Sequence, residues 1–289
     1  MNTAQAFNTA IFSRRKFWNR FMCSCLVAAT LLALVPLFSV FGYVIIQGFP
    51  AINFDFFTQL PKPVGEVGGG MANALVGTLT LIGLAACIGI PWGLITGIYL
   101  SEYGQGKLAT VVRFSVDMLA SVPSIVIGLF VYSLMVMPMK RFSALAGGMA
   151  LGILMIPTVA RTSEELLKMI PIHIREAGLA LGLPRWKVTL RIVLRGSLSA
   201  IVTGVMLSIG RVAGETAPLL FTALSNRFWQ HGLDQPIASL PVQIYNYAIS
   251  PYDDWHRQAW AGALMLVLIV FFLNVMTRII LRPSGSSHE

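Results

Sequence analysis

Residues 72–100 read ANALVGTLTLIGLAACIGIPWGLITGIYL, with no acidic or basic side chain anywhere in the stretch. A bilayer core about 30 Å thick needs about 20 mostly apolar residues per helical crossing, so this run alone is long enough to span one. Hydrocarbon offers no hydrogen bonds to an open backbone, so such a segment is helical. Outward from it, comparable stretches occur at roughly 21–46, 115–138, 142–160, 197–223 and 258–281, each bounded by charges or turn residues. The expected fold is all-α: a polytopic membrane protein with six transmembrane helices.

Composition agrees. Of 289 residues, 56% are hydrophobic and 11% charged, and mean hydropathy is +0.73, whereas soluble domains carry roughly one-quarter charge. Cys23, Cys25 and Cys87 fall inside apolar stretches, without a disulfide partner or the ligand spacing of a zinc site, and read as small packing residues; no metal is expected. Arg14, Arg15 and Lys16 before an apolar run imitate a secretory signal. That run is too long and lacks an A-x-A cleavage site, so it reads as an uncleaved first crossing.

Charge distribution orients the chain. With the amino terminus inside, 15 of the 21 Lys and Arg residues, from Arg14 to Arg282, lie inside; Lys62, Lys140, Arg141, Arg227 and Arg257 lie outside, and Arg211 is at membrane depth. This is the positive-inside distribution, with both termini cytoplasmic. The pI near 9.8 therefore reports topology; with no basic soluble domain, no nucleic-acid partner is expected.

The expected organisation is a cytoplasmic amino-terminal segment at 1–20, a transmembrane domain at 21–281 with its core at about 70–281, and a cytoplasmic tail at 282–289. Three connections exceed simple turns: 47–71 and 224–257 outside, and 161–196 inside. The second outer loop holds Trp229, Trp255 and Trp260 with Tyr245, Tyr247 and Tyr252, aromatics that suit the headgroup layer. No internal repeat is visible, so if a pore has two halves another chain supplies the second.

Punctuation in the inside loop is specific. Pro171 suits a first helical turn, Ile174, Ala177 and Leu181 share a face, and Gly182 can end that helix in the left-handed conformation before Pro184 starts another. The second helix, Arg185 to Leu194, alternates an apolar stripe with Lys187 and Arg191 and is expected along the membrane surface. A short helix at a loop tip suits a groove on another protein; a surface-lying loop without a partner is the alternative.

Ionisable residues at membrane depth mark function by default. Arg211 and Glu215 are four apart in the fifth stretch, so on a continuous helix they share a face and can pair. Either alone costs about 2.5 to 3.5 kcal/mol in lipid, which points that face at protein or water. Thr216 adds a hydroxyl, and Pro218 can break the helix where it lines a cavity. In the third stretch, Pro123 kinks the helix and can expose Ser121 and Ser124 as uncharged donors. Asp117 is placed to pair Arg113 one turn back. Gly93 and Gly97 form a small-xxx-small pair for close helix packing.

Glu176-Ala177-Gly178, three residues, Gly182, nine residues, then Ile192-Val193-Leu194 resembles the EAA loop of bacterial ABC importer permeases, E-A-A-x3-G-x9-I-x-L-P. Gly178 stands for the second Ala and Arg195 for the Pro. The segments 97–103, 121–132, 213–223 and 235–241 are similar to PstA-type phosphate permease subunits. The resemblance implies the type I (MetI-like) ABC importer permease fold in a bacterial inner membrane. It implies ATPase coupling through Glu176, Ala177, Gly178, Leu181 and Gly182. It also implies a paralogous permease half of PstC type, an ATPase dimer of PstB type, a periplasmic phosphate-binding protein of PstS type, and inorganic phosphate as cargo, with lipid around the helices.

For phosphate the chemistry is direct, because a guanidinium offers oxygens a planar fork of donors. Arg211, Glu215, Thr216, Ser121 and Ser124 are the expected path residues, with Glu215 keeping Arg211 from binding too tightly. A fixed Arg211–Glu215 pair stapling two crossings is the bland alternative, and a proton relay through Glu215 another. No G-x-x-x-x-G-K-[ST] loop exists here; the nearest string, Gly104-Gln105-Gly106-Lys107-Leu108, lacks the terminal hydroxyl. The chain is thus expected to hold no cofactor and not to be an enzyme, with ATP and Mg bound by the partner ATPase. Rival readings are a sulfate or molybdate importer subunit and a self-contained secondary transporter.

Overall fold

The computed structural model describes residues 3–63, 66 and 68–280, and the expected tail at 282–289, with Arg282, lies outside them. Besides short turns at Phe49–Ala51 and Phe54–Thr58, the helices among the described residues are α1 (Thr3–Gly48), α2 (Ala72–Tyr103), α3 (Lys107–Ser121), α4 (Ser124–Met139), α5 (Ala144–Lys168), α6 (Ile172–Ala180), α7 (Arg185–Ala213), α8 (Ala217–Thr222), α9 (Leu240–Ala248) and α10 (Asp253–Ile280). Among the described residues there is no strand.

Among the described residues five helical segments are long and apolar enough to cross a membrane: Arg14–Ala51 and helices α2, α5, α7 and α10. The third crossing, expected at 115–138 with a kink, is instead a pair of helices meeting at 101°. Val122 is extended, with ψ 131°, because Pro123 forbids it the helical region and supplies no N–H to continue the ladder.

The bent pair completes six crossings, as packing of α2 on α5 shows. A Cβ on Gly89, Gly93 or Gly97 would meet Met155, Val159 or Ser163 at 2.6 to 2.7 Å, and one on Gly148 or Gly152 would meet Leu84 or Ile88. Contacts rise together along both helices, so α2 and α5 run parallel, and α3 with α4 must carry the chain back across between them. Small residues every fourth position let the two backbones interlock in apolar surroundings, the role read for Gly93 and Gly97. Leu81, Ala85, Leu151, Met155 and Val159 are buried along this seam, joined by Ile201, Val205 and Ile209 of α7.

α1 is peripheral, touching α10 where Gly48 meets the Trp260 backbone and Tyr43 packs edge-on to Trp260. The loop 224–257 folds inward. The Leu240 N–H donates to the Thr78 hydroxyl at 2.8 Å, and Leu240, Pro241, Val242 and Gln243 are buried. Of its aromatics, Trp229 and Tyr245 are exposed, whereas Tyr247 is buried and stacked on Trp255 at 4.5 Å, with Tyr252 against the same ring. These three pack on one another because α9 folds back beside the start of α10.

Candidate functional site

Two regions carry chemistry: the loop between α5 and α7, and the junction of α7 with α8. In the loop, α6 starts after extended Pro171 and ends at Gly182, whose φ is +76°. The Leu183 N–H donates to the Gly178 carbonyl and the Gly182 N–H to the Leu179 carbonyl. This is the glycine-terminated wrap that the sequence leads one to expect, possible because glycine enters the left-handed region freely.

Gly178 is buried, and a Cβ there would lie 3.0 Å from Val188 and Ile192. Glu176, Ala177, Leu181 and Gly182 face outward, with Leu181 81% exposed. The loop therefore presents a carboxylate with no ion-pair partner among the described residues beside an apolar tip. Arg185–Leu194 departs from the expected surface helix, since residues 185–213 form one 29-residue span. Nothing in the sequence interrupts it there, and a π-turn at Thr189–Val193 absorbs the join.

Behind the loop lie residues that the sequence reading passed over. Arg175 donates from Nη2 to Glu102 Oε1 at 2.6 Å and from Nε to both carboxylate oxygens at 3.1 Å. It also donates to the Leu167 and Ile170 carbonyls. The legible signal was an acid, Glu102, just past the end of one apolar run and a base, Arg175, within the first helix expected in the loop. Asp117 and Arg113 do not pair with each other as expected. Arg113 bonds Glu164 at 2.8 Å and Asp117 bonds Arg161, because α5 offers a base and an acid one turn apart to the acid and base on α3.

At the second region α7 stops at Ala213. The Gly214 N–H reaches the Arg211 carbonyl and the Glu215 N–H the Val212 carbonyl, and α8 begins at Ala217. Arg211 is exposed, while Glu215 and Thr216 are half-buried. Among the described residues no ion pair or hydrogen bond joins the Arg211 and Glu215 side chains, so the pair allowed by a continuous helix is not formed. The helix that would align them has ended, because Gly214 is a weak helix former and Pro218 cannot donate back into the last turn.

α4 crosses this break, where a Cβ on Gly128 would meet the Pro218 Cα at 2.5 Å. Ser124 lies one turn before Gly128 on the same face of α4. The Ser121 hydroxyl donates to the Met118 carbonyl at 2.8 Å. The structure thus brings the start of α4 to the α7–α8 junction, without a hydrogen bond from Ser121 or Ser124 to Arg211, Glu215 or Thr216. No cluster of three or more His, Cys, Asp or Glu side chains suited to a metal occurs among the described residues.

Residues 89–283, which include both regions, match the family described as binding-protein-dependent transport system inner membrane component. The chain belongs to this family. It is therefore a multi-pass membrane permease and not an enzyme, and family membership implies an ATPase and a substrate-binding protein as partners. The chain is 46% identical over 279 residues to the phosphate transport system permease protein PstA of Yersinia pestis, covering 94% of this chain and 95% of that one. With the protein of the same name from Haemophilus influenzae identity is 45% over 269 residues, covering 93% and 95%. The fold resembles the permease of the MetNI methionine ABC transporter, with a TM-score of 0.57 at 20% identity, covering 73% and 92%. A chain of a bacterial alginate ABC importer matches with a TM-score of 0.63 at 18% identity, covering 92% and 100%.

Proposed function

We propose that this permease is a subunit of an ATP-driven phosphate importer and forms half of the translocation path. The observation that carries the reading is the identity of 46% and 45%, over more than nine-tenths of the chain, with proteins named as phosphate permeases. The α7–α8 junction supports it chemically. Arg211 projects from the last turn of a spanning helix without a carboxylate partner among the described residues, so its charge belongs beside water or a second polypeptide. Its planar donors suit a tetrahedral oxyanion. Glu215, Thr216, Ser121 and Ser124 complete the path: the carboxylate limits retention of the anion and the hydroxyls contribute uncharged donors.

The coupling residues are Glu176, Ala177, Gly178, Leu181 and Gly182, on a loop that faces the cytoplasm with both termini. Glu176, Ala177, Leu181 and Gly182 meet an ATPase dimer of PstB type that holds ATP and Mg, whereas Gly178, buried on α7, acts by tying the loop to that helix; a PstC-type permease supplies the other half of the path and a PstS-type protein delivers phosphate outside. Competition tests the cargo. Uptake of labelled phosphate into membrane vesicles carrying the complex falls with excess unlabelled phosphate and persists in excess sulfate or molybdate. Displacement by sulfate with none by phosphate overturns the assignment.

A further inference from the structure

The loop that carries α6 is undercut. Between it and the end of α2 lies a cavity of about 590 Å3 lined by Tyr103, Gln105, Met169, Glu176, Arg185 and Thr189, with Glu102 and Arg175 on its wall. Two supports hold the loop beside this space. One is the packing of Gly178 on Val188 and Ile192, which ties α6 to α7. The other is the guanidinium of Arg175, whose hydrogen bonds reach Glu102 of α2 and the Leu167 and Ile170 carbonyls at the end of α5.

Among the ion pairs of the described residues, this is the one in which both partners are well shielded, at 20% and 9% side-chain exposure; Arg161 and Asp117 stand at 54% and 41%. The forked geometry fixes direction as well as distance, which a lysine could not do. Glu102 also lies in a π-turn, Tyr99–Tyr103, that ends α2, and such turns recur at functional sites. Beyond it, α2 and α5 are interlocked through their glycines. Arg175 is adjacent in sequence to Glu176, whose carboxylate faces outward for a partner.

We propose that the Glu102–Arg175 ion pair is the strut that carries displacement of the α6 loop into the α2–α5 body, making both residues positioning residues for coupling. The inference rests on the reading of the chain as an ATP-coupled permease. Without the strut, a force applied at Glu176 and Leu181 reaches α7 through Gly178 and α5 through the link 169–171, while α2 loses its direct tie to the loop. ATP hydrolysis then continues with less transport per cycle.

The test uses the complete complex in proteoliposomes and reads ATP hydrolysed per substrate molecule imported. Glu102→Gln and Arg175→Gln are expected to assemble with the ATPase and to raise that ratio about tenfold, within the range of coupling energies between sites. A wild-type ratio in both single variants overturns the proposal. So does a loss of uptake that only tracks a loss of assembled complex, which would make the pair a folding element. Because the ratio is measured with whichever oxyanion the wild type imports, failure of the phosphate reading and failure of the strut are distinguishable.

Discussion

Among the described residues no carboxylate neutralises Arg211, and this decides how the residue is to be read. A paired guanidinium would be a staple; an unpaired one beside a helix break can receive an anion. Arg211→Gln is expected to abolish phosphate uptake while the ATPase still copurifies, and Arg211→Lys to fail nearly as badly, since it keeps the charge and loses the fork. Normal uptake by the Gln variant removes the residue from the path. Gly93 belongs to the same scale. A Cβ there would lie 2.7 Å from the Val159 Cβ, whereas Gly83 has nothing within 4 Å. Gly93→Ala is expected to destabilise by about 1 to 3 kcal/mol and Gly83→Ala to be neutral or stabilising, read as thermal midpoints in detergent.

What was legible among residues was whatever a charge in an apolar run announces: Arg211 and Glu215 stand out without any structure. Their relation was not legible, because four-residue spacing implies a shared face only if the helix continues, and Gly214 with Pro218 ends it. Arg113 and Asp117 fail the same way, since their partners are on α5 and local spacing cannot show charges that a fold brings together. Arg175 and Glu102 were hidden for that reason, 73 positions apart.

At the scale of elements, the turn between α3 and α4 is the largest departure from a simple bundle. A proline in an apolar run predicts a kink, yet the direction and size of the bend are set by what each half packs against. α3 is tied to α5 by ion pairs and α4 crosses α8 at Gly128. Pro123→Ala restores an N–H that can bond the Leu119 carbonyl and favours fusing the two helices. The variant is expected to insert in the membrane and lose most uptake, because the start of α4 no longer meets the α7–α8 junction; uptake near wild type would show that the bend is dispensable. The loop helix was legible through its Pro and Gly punctuation, whereas the continuity of residues 185–213 was not, because amphipathic patterning near an interface also suits a surface helix.

Across the whole molecule, the parallel course of α2 and α5 fixes six crossings, and the apolar runs had already announced that number. The basic residues predict the orientation, and labelling tests it: in a cysteine-free background, Lys62→Cys is expected to react with an impermeant maleimide in intact cells and Glu176→Cys only after permeabilisation. The reverse pattern would invert the coupling loop and detach it from any cytoplasmic ATPase. A single chain of this kind leaves Arg211 on an open surface, which is what half of a shared path requires. The most direct test is accumulation of labelled phosphate in proteoliposomes holding this chain with its permease partner, ATPase and binding protein. The account predicts accumulation against a gradient that needs ATP and stops when this chain is left out; accumulation that proceeds equally without ATP, or that occurs for sulfate and not for phosphate, would contradict it.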